Sequence, residues 1–130
     1  MKYSILLVEE DKTLSDMYKL KFNNANYQIA TRNNAKSALT WLKNNTPECV
    51  IVDILLPGTN GIALIKSMRQ NVALKNTKIV ILTNLTQPDI NLHNSVRDSL
   101  GVDAYFVKTR ISPSQLVQNI GMLLSVNNQQ

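Results

Sequence analysis

The chain has 130 residues, 44% apolar and 18% charged, which is the size and make-up of one folded domain with one core rather than of a disordered segment. No apolar run approaches the roughly 18 residues a membrane helix needs, and Ile5-Leu6-Leu7-Val8 is too short for a secretory leader, so no membrane and a cytoplasmic location are expected. One cysteine and one histidine exclude an internal disulfide and a Cys or His zinc cluster, and a net charge of +5 made of scattered basic residues, with 5% aromatics, speaks against a nucleic-acid partner.

Along the chain, short apolar runs alternate with amphipathic ones. Residues 4 to 8 read as a strand. A helix follows over 12 to 25, with Leu14, Met17, Tyr18 and Phe22 on one face and capping-box spacing at Thr13 and Asp16. Residues 27 to 31 are a short strand. Ala35, Ala38, Leu39 and Leu42 predict a helix over 34 to 45, along which Trp41 packs. Cys49-Val50-Ile51-Val52 is a buried strand ending at Asp53. Pro57 to Gly61 is loop chemistry, and a helix over 61 to 70 turns Ile62, Ile65 and Met68 inward. A strand over 78 to 82 ends at Thr83. Thr86-Gln87-Pro88-Asp89 opens a weakly apolar helix to Leu100, stopped by Gly101, with an exposed and inert His93. A last strand over 104 to 107 ends at Lys108. Ser112-Pro113-Ser114-Gln115 is a strong helix start for a final helix carrying Leu116, Ile120, Leu123 and Leu124.

The pattern is five βα units. Near-continuous apolar strands with helical crossovers mean a parallel sheet covered on both faces. The expected fold is therefore α/β, a flavodoxin-like doubly wound (βα)5 with a five-stranded parallel sheet of order 2-1-3-4-5.

In that order the ligand crevice lies beyond the strand ends, between strands 1 and 3. Glu9, Glu10 and Asp11, three of the nine acids, follow strand 1, and Asp53 follows strand 3. Thr83 and Lys108 come from strands 4 and 5. Clustered carboxylates need a cation or protons. Oxygen ligands of this kind suit Mg²⁺ together with phosphate oxygens, and a lysine and a hydroxyl would hold the remaining phosphoryl oxygens. A carboxylate can serve as nucleophile. The chemistry read here is Mg²⁺-dependent phosphoryl transfer to Asp53.

The motifs Leu6-Leu7-Val8-Glu9-Glu10-Asp11, Val52-Asp53 through Asn60-Gly61, Ile81-Leu82-Thr83-Asn84 and Tyr105-Phe106-Val107-Lys108 resemble, in order and spacing, the receiver domain of two-component response regulators, a single-domain one such as the chemotaxis regulator. The resemblance covers about residues 2 to 125. It implies that Asp53 is the phospho-acceptor and that Glu9 and Glu10 are the acidic pair holding the metal, with the backbone carbonyl of Leu55 as a further ligand. It also implies Thr83 as switch hydroxyl, Tyr105 as switch aromatic and Lys108 as phosphate-binding lysine. The implied partners are a sensor histidine kinase or phosphotransfer protein, and a downstream protein on the face of helix 4, strand 5 and helix 5. The domain is drawn as 1–126 with a short polar tail over 127–130, as a monomer or weak dimer, and as a phospho-accepting signalling domain rather than an enzyme.

Four residues depart from the family pattern. Glu10 replaces an Asp, one methylene shorter, in a site whose ion demands near-ideal octahedral geometry. Thr109 replaces the proline after the lysine, Asn60 a frequent Asp, and Asn84 a frequent small residue. Glu10 and Thr109 keep open a pseudo-receiver that binds partners without phosphorylation. A haloacid-dehalogenase-type phosphatase needs a second acid where Leu55 stands, and a dinucleotide-binding domain needs a Gly-x-Gly-x-x-Gly turn that the chain lacks after strand 1. Asp11 in part caps the first helix, and Cys49 reads as a small buried strand residue.

Overall fold

The structure, a computed structural model, describes residues 2–58, 60–84 and 100–128, the last three by backbone only. Five parallel strands form one sheet in the order β2-β1-β3-β4-β5. They are β1 (Ser4–Val8), β2 (Gln28–Arg32), β3 (Cys49–Val52), β4 (Lys78–Thr83) and β5 (Ala104–Val107). Four helices are described: α1 (Lys12–Asn24), α2 (Ala35–Leu42), α3 (Gly61–Arg69) and α4 (Pro113–Asn128). Two 3₁₀ turns, Val72–Leu74 and Lys108–Arg110, complete the set. The helix predicted over 86 to 100, with His93, lies outside the described residues apart from Leu100.

The apolar strands bury both faces because successive side chains alternate sides. Leu6, Val8, Val50, Val52, Ile79 and Ile81 meet α2 and α3 through Ala38, Leu42, Leu64, Ile65 and Met68. Ile5, Leu7, Cys49, Ile51, Val80 and Leu82 meet α1 and α4 through Tyr18, Phe22, Leu116, Ile120 and Leu124. Cys49 is fully buried, and that burial pushes its thiol pKa up.

Helix starts follow side-chain chemistry. Ser112 and Gln115 form the expected capping box of α4: the Ser112 amide donates to Gln115 Oε1 at 2.8 Å, and the Gln115 amide donates to Ser112 Oγ at 3.1 Å. For α1 the cap is Asp11 rather than Thr13, its carboxylate accepting from the Leu14 amide at 3.1 Å. On α3 the buried residues are Leu64, Ile65 and Met68, while Ile62 is only half-buried. Helix α4 runs to Asn128, past the boundary drawn at 126.

The parallel register brings the strand ends level. Val8 lies opposite both Arg32 and Val52, and Thr83 lies opposite Val107. The Asp53 amide donates to the Val8 carbonyl at 3.1 Å. The residues that follow β1, β3 and β5 thus share one edge of the sheet.

Candidate functional site

Three residues far apart in sequence converge at that edge. The Lys108 ammonium lies 2.6 Å from Asp53 Oδ2 and 2.5 Å from Glu9 Oε1. All three side chains are nearly buried, at 9%, 6% and 3% exposure. The contact with Asp53 is a hydrogen bond. The contact with Glu9 is an ion pair by distance whose approach angle leaves Oε1 without a hydrogen-bond donor.

The other carboxylate oxygens are held by backbone. Asp53 Oδ1 accepts from the Leu55 amide at 2.9 Å, and Glu9 Oε2 accepts from the Asp11 amide at 3.0 Å. Burial pulls the Lys108 pKa down, but the hydrogen bond to Asp53, the close contact with Glu9 and the two negative charges outweigh it, so the net shift is upward. The ammonium is therefore firmly protonated at neutral pH.

Gly61 fixes the backbone behind Asp53. Its amide donates to the Ile54 carbonyl at 2.8 Å, and a Cβ there would lie 2.3 Å from the Asp53 carbonyl oxygen. Only glycine allows α3 to start so close to the acid. Asn60 caps α3 by accepting from the Ala63 amide at 2.9 Å, a role in which Asn serves as well as Asp.

Of the other expected site residues, Thr83 is fully buried at the end of β4 and Tyr105 is half-buried on β5 against the α2–α3 core. Leu55 is half-exposed at the rim. Glu10 is exposed and lines, with Glu9, Asp16 and Arg32, a cleft of about 330 Å³. Lys108 opens the 3₁₀ turn that takes the place of a proline turn, and Thr109 is exposed. The structure thus brings Glu9, Asp53 and Lys108 together, with Glu10 one step outward.

Two carboxylates facing one ammonium leave an excess negative charge in a place water barely reaches, which is costly unless a further cation is present. Donors of this type, all oxygen, fit a hard cation such as Mg²⁺. Among the described residues no three Asp, Glu, His or Cys side chains gather closely enough to hold a metal by themselves. Backbone carbonyl, water or phosphate oxygens would therefore make up the shell.

Two contributors escape sequence reading. Gly61 was legible as a loop end, a helix start and part of a motif, but its close approach to Asp53 is a tertiary fact. Tyr18 looked like a core residue. It is buried in the core, and burial foremost raises its phenol pKa, with Lys108, Glu9 and Asp53 acting on it electrostatically.

Comparison with known proteins places these features among relatives. The family description "Response regulator receiver domain" matches residues 5–121. Regulatory protein VanR of Enterococcus faecium is 28% identical over 120 residues, covering 92% of this chain and 49% of that protein. Response regulator SaeR of Staphylococcus aureus is 28% identical over 121 residues, covering 93% of this chain and 50% of that one. The chain therefore spans about half the length of these relatives. A putative response regulator from Chloroflexus aurantiacus superposes with a TM-score of 0.83 at 30% identity, covering 96% and 99% of the two chains. The chemotaxis response regulator CheY4 of Vibrio cholerae shares the fold, with a TM-score of 0.83 at 21% identity and coverage of 94% and 98%.

Proposed function

The chain belongs to the response regulator receiver domain family of two-component signalling, and from that premise we propose that Asp53 accepts a phosphoryl group from a sensor histidine kinase or phosphotransfer protein. The observation that carries this reading is the 2.6 Å contact between Lys108 and Asp53, buried at the strand ends beside Glu9.

Each residue then has a task. The Leu55 amide holds Asp53 Oδ1 and leaves Oδ2 to attack phosphorus. The phosphorus–nitrogen bond of the donor phosphohistidine breaks, and the departing imidazole takes up a proton. Lys108, already charged, moves its ammonium from the carboxylate to the phosphoryl oxygens. Thr83 supplies a hydroxyl to the same oxygens, and Tyr105 follows it inward. The face of β5 and α4 changes accordingly and meets a downstream protein.

Receivers of this family generally take Mg²⁺ at the phosphorylation site. Here Asp53, the Glu9–Glu10 pair and the Leu55 carbonyl would hold it, and when bound it neutralises phosphoryl charge. No helix among the described residues is long and apolar enough to cross a membrane. We assign the domain to the cytoplasm, as a monomer or weak dimer that signals rather than turns over a free substrate.

One observation favours a second reading. Glu10 is exposed, not gathered with Glu9 and Asp53, which suits a pseudo-receiver that binds partners without phosphate. Intact-mass spectrometry after acetyl phosphate with Mg²⁺ separates the two. The proposal expects one phosphoryl adduct on the wild type and none on Asp53→Asn. An unmodified wild type, or equal labelling of the variant, overturns it.

A further inference from the structure

We propose that the groove beside α2 docks an acidic peptide segment of a partner protein, seated on Trp41 and held by Arg32 and Lys36. The groove has a volume of about 600 Å³ and lies between the end of β2 and the outer side of α2, on the side of the molecule away from α1 and α4. Besides these three residues it is lined by the amides of Asn34, Asn44 and Asn45.

The charge pattern names the occupant. From Met17 to Pro47 the chain has no Asp or Glu, yet it carries Lys19, Lys21, Arg32, Lys36 and Lys43. The acids at either end of this stretch are engaged. Asp16 pairs with Lys12 at 2.9 Å, and Glu48 accepts from the Ser4 amide at 2.7 Å. None of the ion pairs among the described residues involves Arg32, Lys36 or Lys43. Two cations outside these ion pairs therefore face one groove, Arg32 at its border with the cleft of Glu10 and Asp16, and a carboxylate-bearing ligand complements them.

The floor of the groove is fixed in place. Trp41 is half-buried against the core, and the Asn45 amide donates to its carbonyl at 2.8 Å. A partly buried indole on a rigid helix is the kind of anchor on which an apolar side chain gains affinity at little entropic cost. Of the flanking amides Asn34 caps α2 and Asn45 holds the Trp41 carbonyl, and Asn44 is placed to pair with a peptide backbone. A nucleic acid would need a longer cation track and repeated aromatic platforms, whereas this groove offers two cations and one ring.

Trp41 is the sole tryptophan, so its emission reports on this groove alone. The probes are three: a capped decapeptide of Glu and Asp with a central Leu, the same peptide with Gln and Asn for the acids, and a ten-residue oligothymidylate. The acidic peptide should shift Trp41 emission to the blue, half-saturating below about 1 mM. Added salt should weaken it. The double change Arg32→Gln with Lys36→Gln should weaken binding about tenfold at an unchanged melting temperature. Lys66→Gln, on α3 and outside the groove lining, should leave it as it was. Asp53→Asn should bind the peptide like the wild type, because the groove does not depend on phosphorylation. No shift at millimolar acidic peptide, equal binding of the neutral peptide, tighter binding of the oligothymidylate, or equal weakening by Lys66→Gln would each overturn the proposal.

Discussion

Replacing Lys108 by Met keeps the length of the side chain and removes the charge that faces two buried carboxylates. The oxygens of Glu9 and Asp53 that it touches lie 2.5 and 2.6 Å from one nitrogen, so they are at most about 5 Å apart. At that separation two unit charges repel by about 3 kcal/mol with an effective dielectric constant near 20. Measured losses on breaking buried ion pairs are of the same order, about 3–5 kcal/mol. We therefore expect Lys108→Met to lose about 3 kcal/mol at pH 7, read as a lower urea midpoint at an unchanged slope. Mg²⁺ should recover part of this loss at neutral pH, by about 1.4 kcal/mol at ten times its dissociation constant. A variant within about 0.5 kcal/mol of the wild type at pH 7, with no response to Mg²⁺, would refute the idea that Lys108 neutralises this pair.

Three other perturbations test different parts of the structure. Gly61→Ala places a Cβ 2.3 Å from the Asp53 carbonyl oxygen and 2.8 Å from the Ile54 Cα. It should cost about 2 kcal/mol or more and slow labelling of Asp53 by acetyl phosphate, up to about a hundredfold for a 1 Å displacement; equal rates would show that the backbone yields elsewhere. Arg69→Met should cost about 2–3 kcal/mol in urea unfolding, because the guanidinium donates to the carbonyls of Leu100, Gly101, Thr77 and Leu74. Arg69→Lys should not restore it, since a single ammonium cannot span that fork. The raised pKa values of Tyr18, from burial, and of Lys108, from Asp53 and Glu9 against burial, have the same sign. Their stabilisation is complete below the unfolded values of about 10 and is lost as pH rises through the folded ones, so urea midpoints should fall above about pH 10 and fall less in Tyr18→Phe; a flat profile to pH 11 would contradict it.

The fold was legible because its signals are local and repeated. Runs such as Cys49 to Val52 are buried on both faces whatever packs on them, and the capping chemistry of Ser112 and Gln115 needs only four residues. The strand order then followed from topology. At α1 two local signals competed: Thr13 has good cap spacing, but Asp11, expected to cap in part, stands where the chain leaves β1 and is the cap. The site was legible at Glu9, Asp53 and Lys108 because each directly follows a strand. Glu10 was harder. Sequence spacing cannot tell which of two adjacent acids turns inward, since neighbours leaving a strand point to opposite sides. Here Glu9 is the buried one.

That difference between Glu9 and Glu10 divides the site into two parts with separate duties. Glu9, Asp53 and Lys108 form a buried arrangement in which the lysine is held charged against both carboxylates. Glu10 stands in an open cleft with Asp16 and Arg32, free to respond to an ion or a partner entering from solvent. The buried part is shaped by packing, through Gly61 behind Asp53, so substitutions there should alter stability and chemistry together. The exposed part is shaped by charge alone. Substitution of Glu10 should change the response to Mg²⁺ while leaving the urea midpoint of the metal-free protein nearly unchanged, because an exposed carboxylate contributes little to folding.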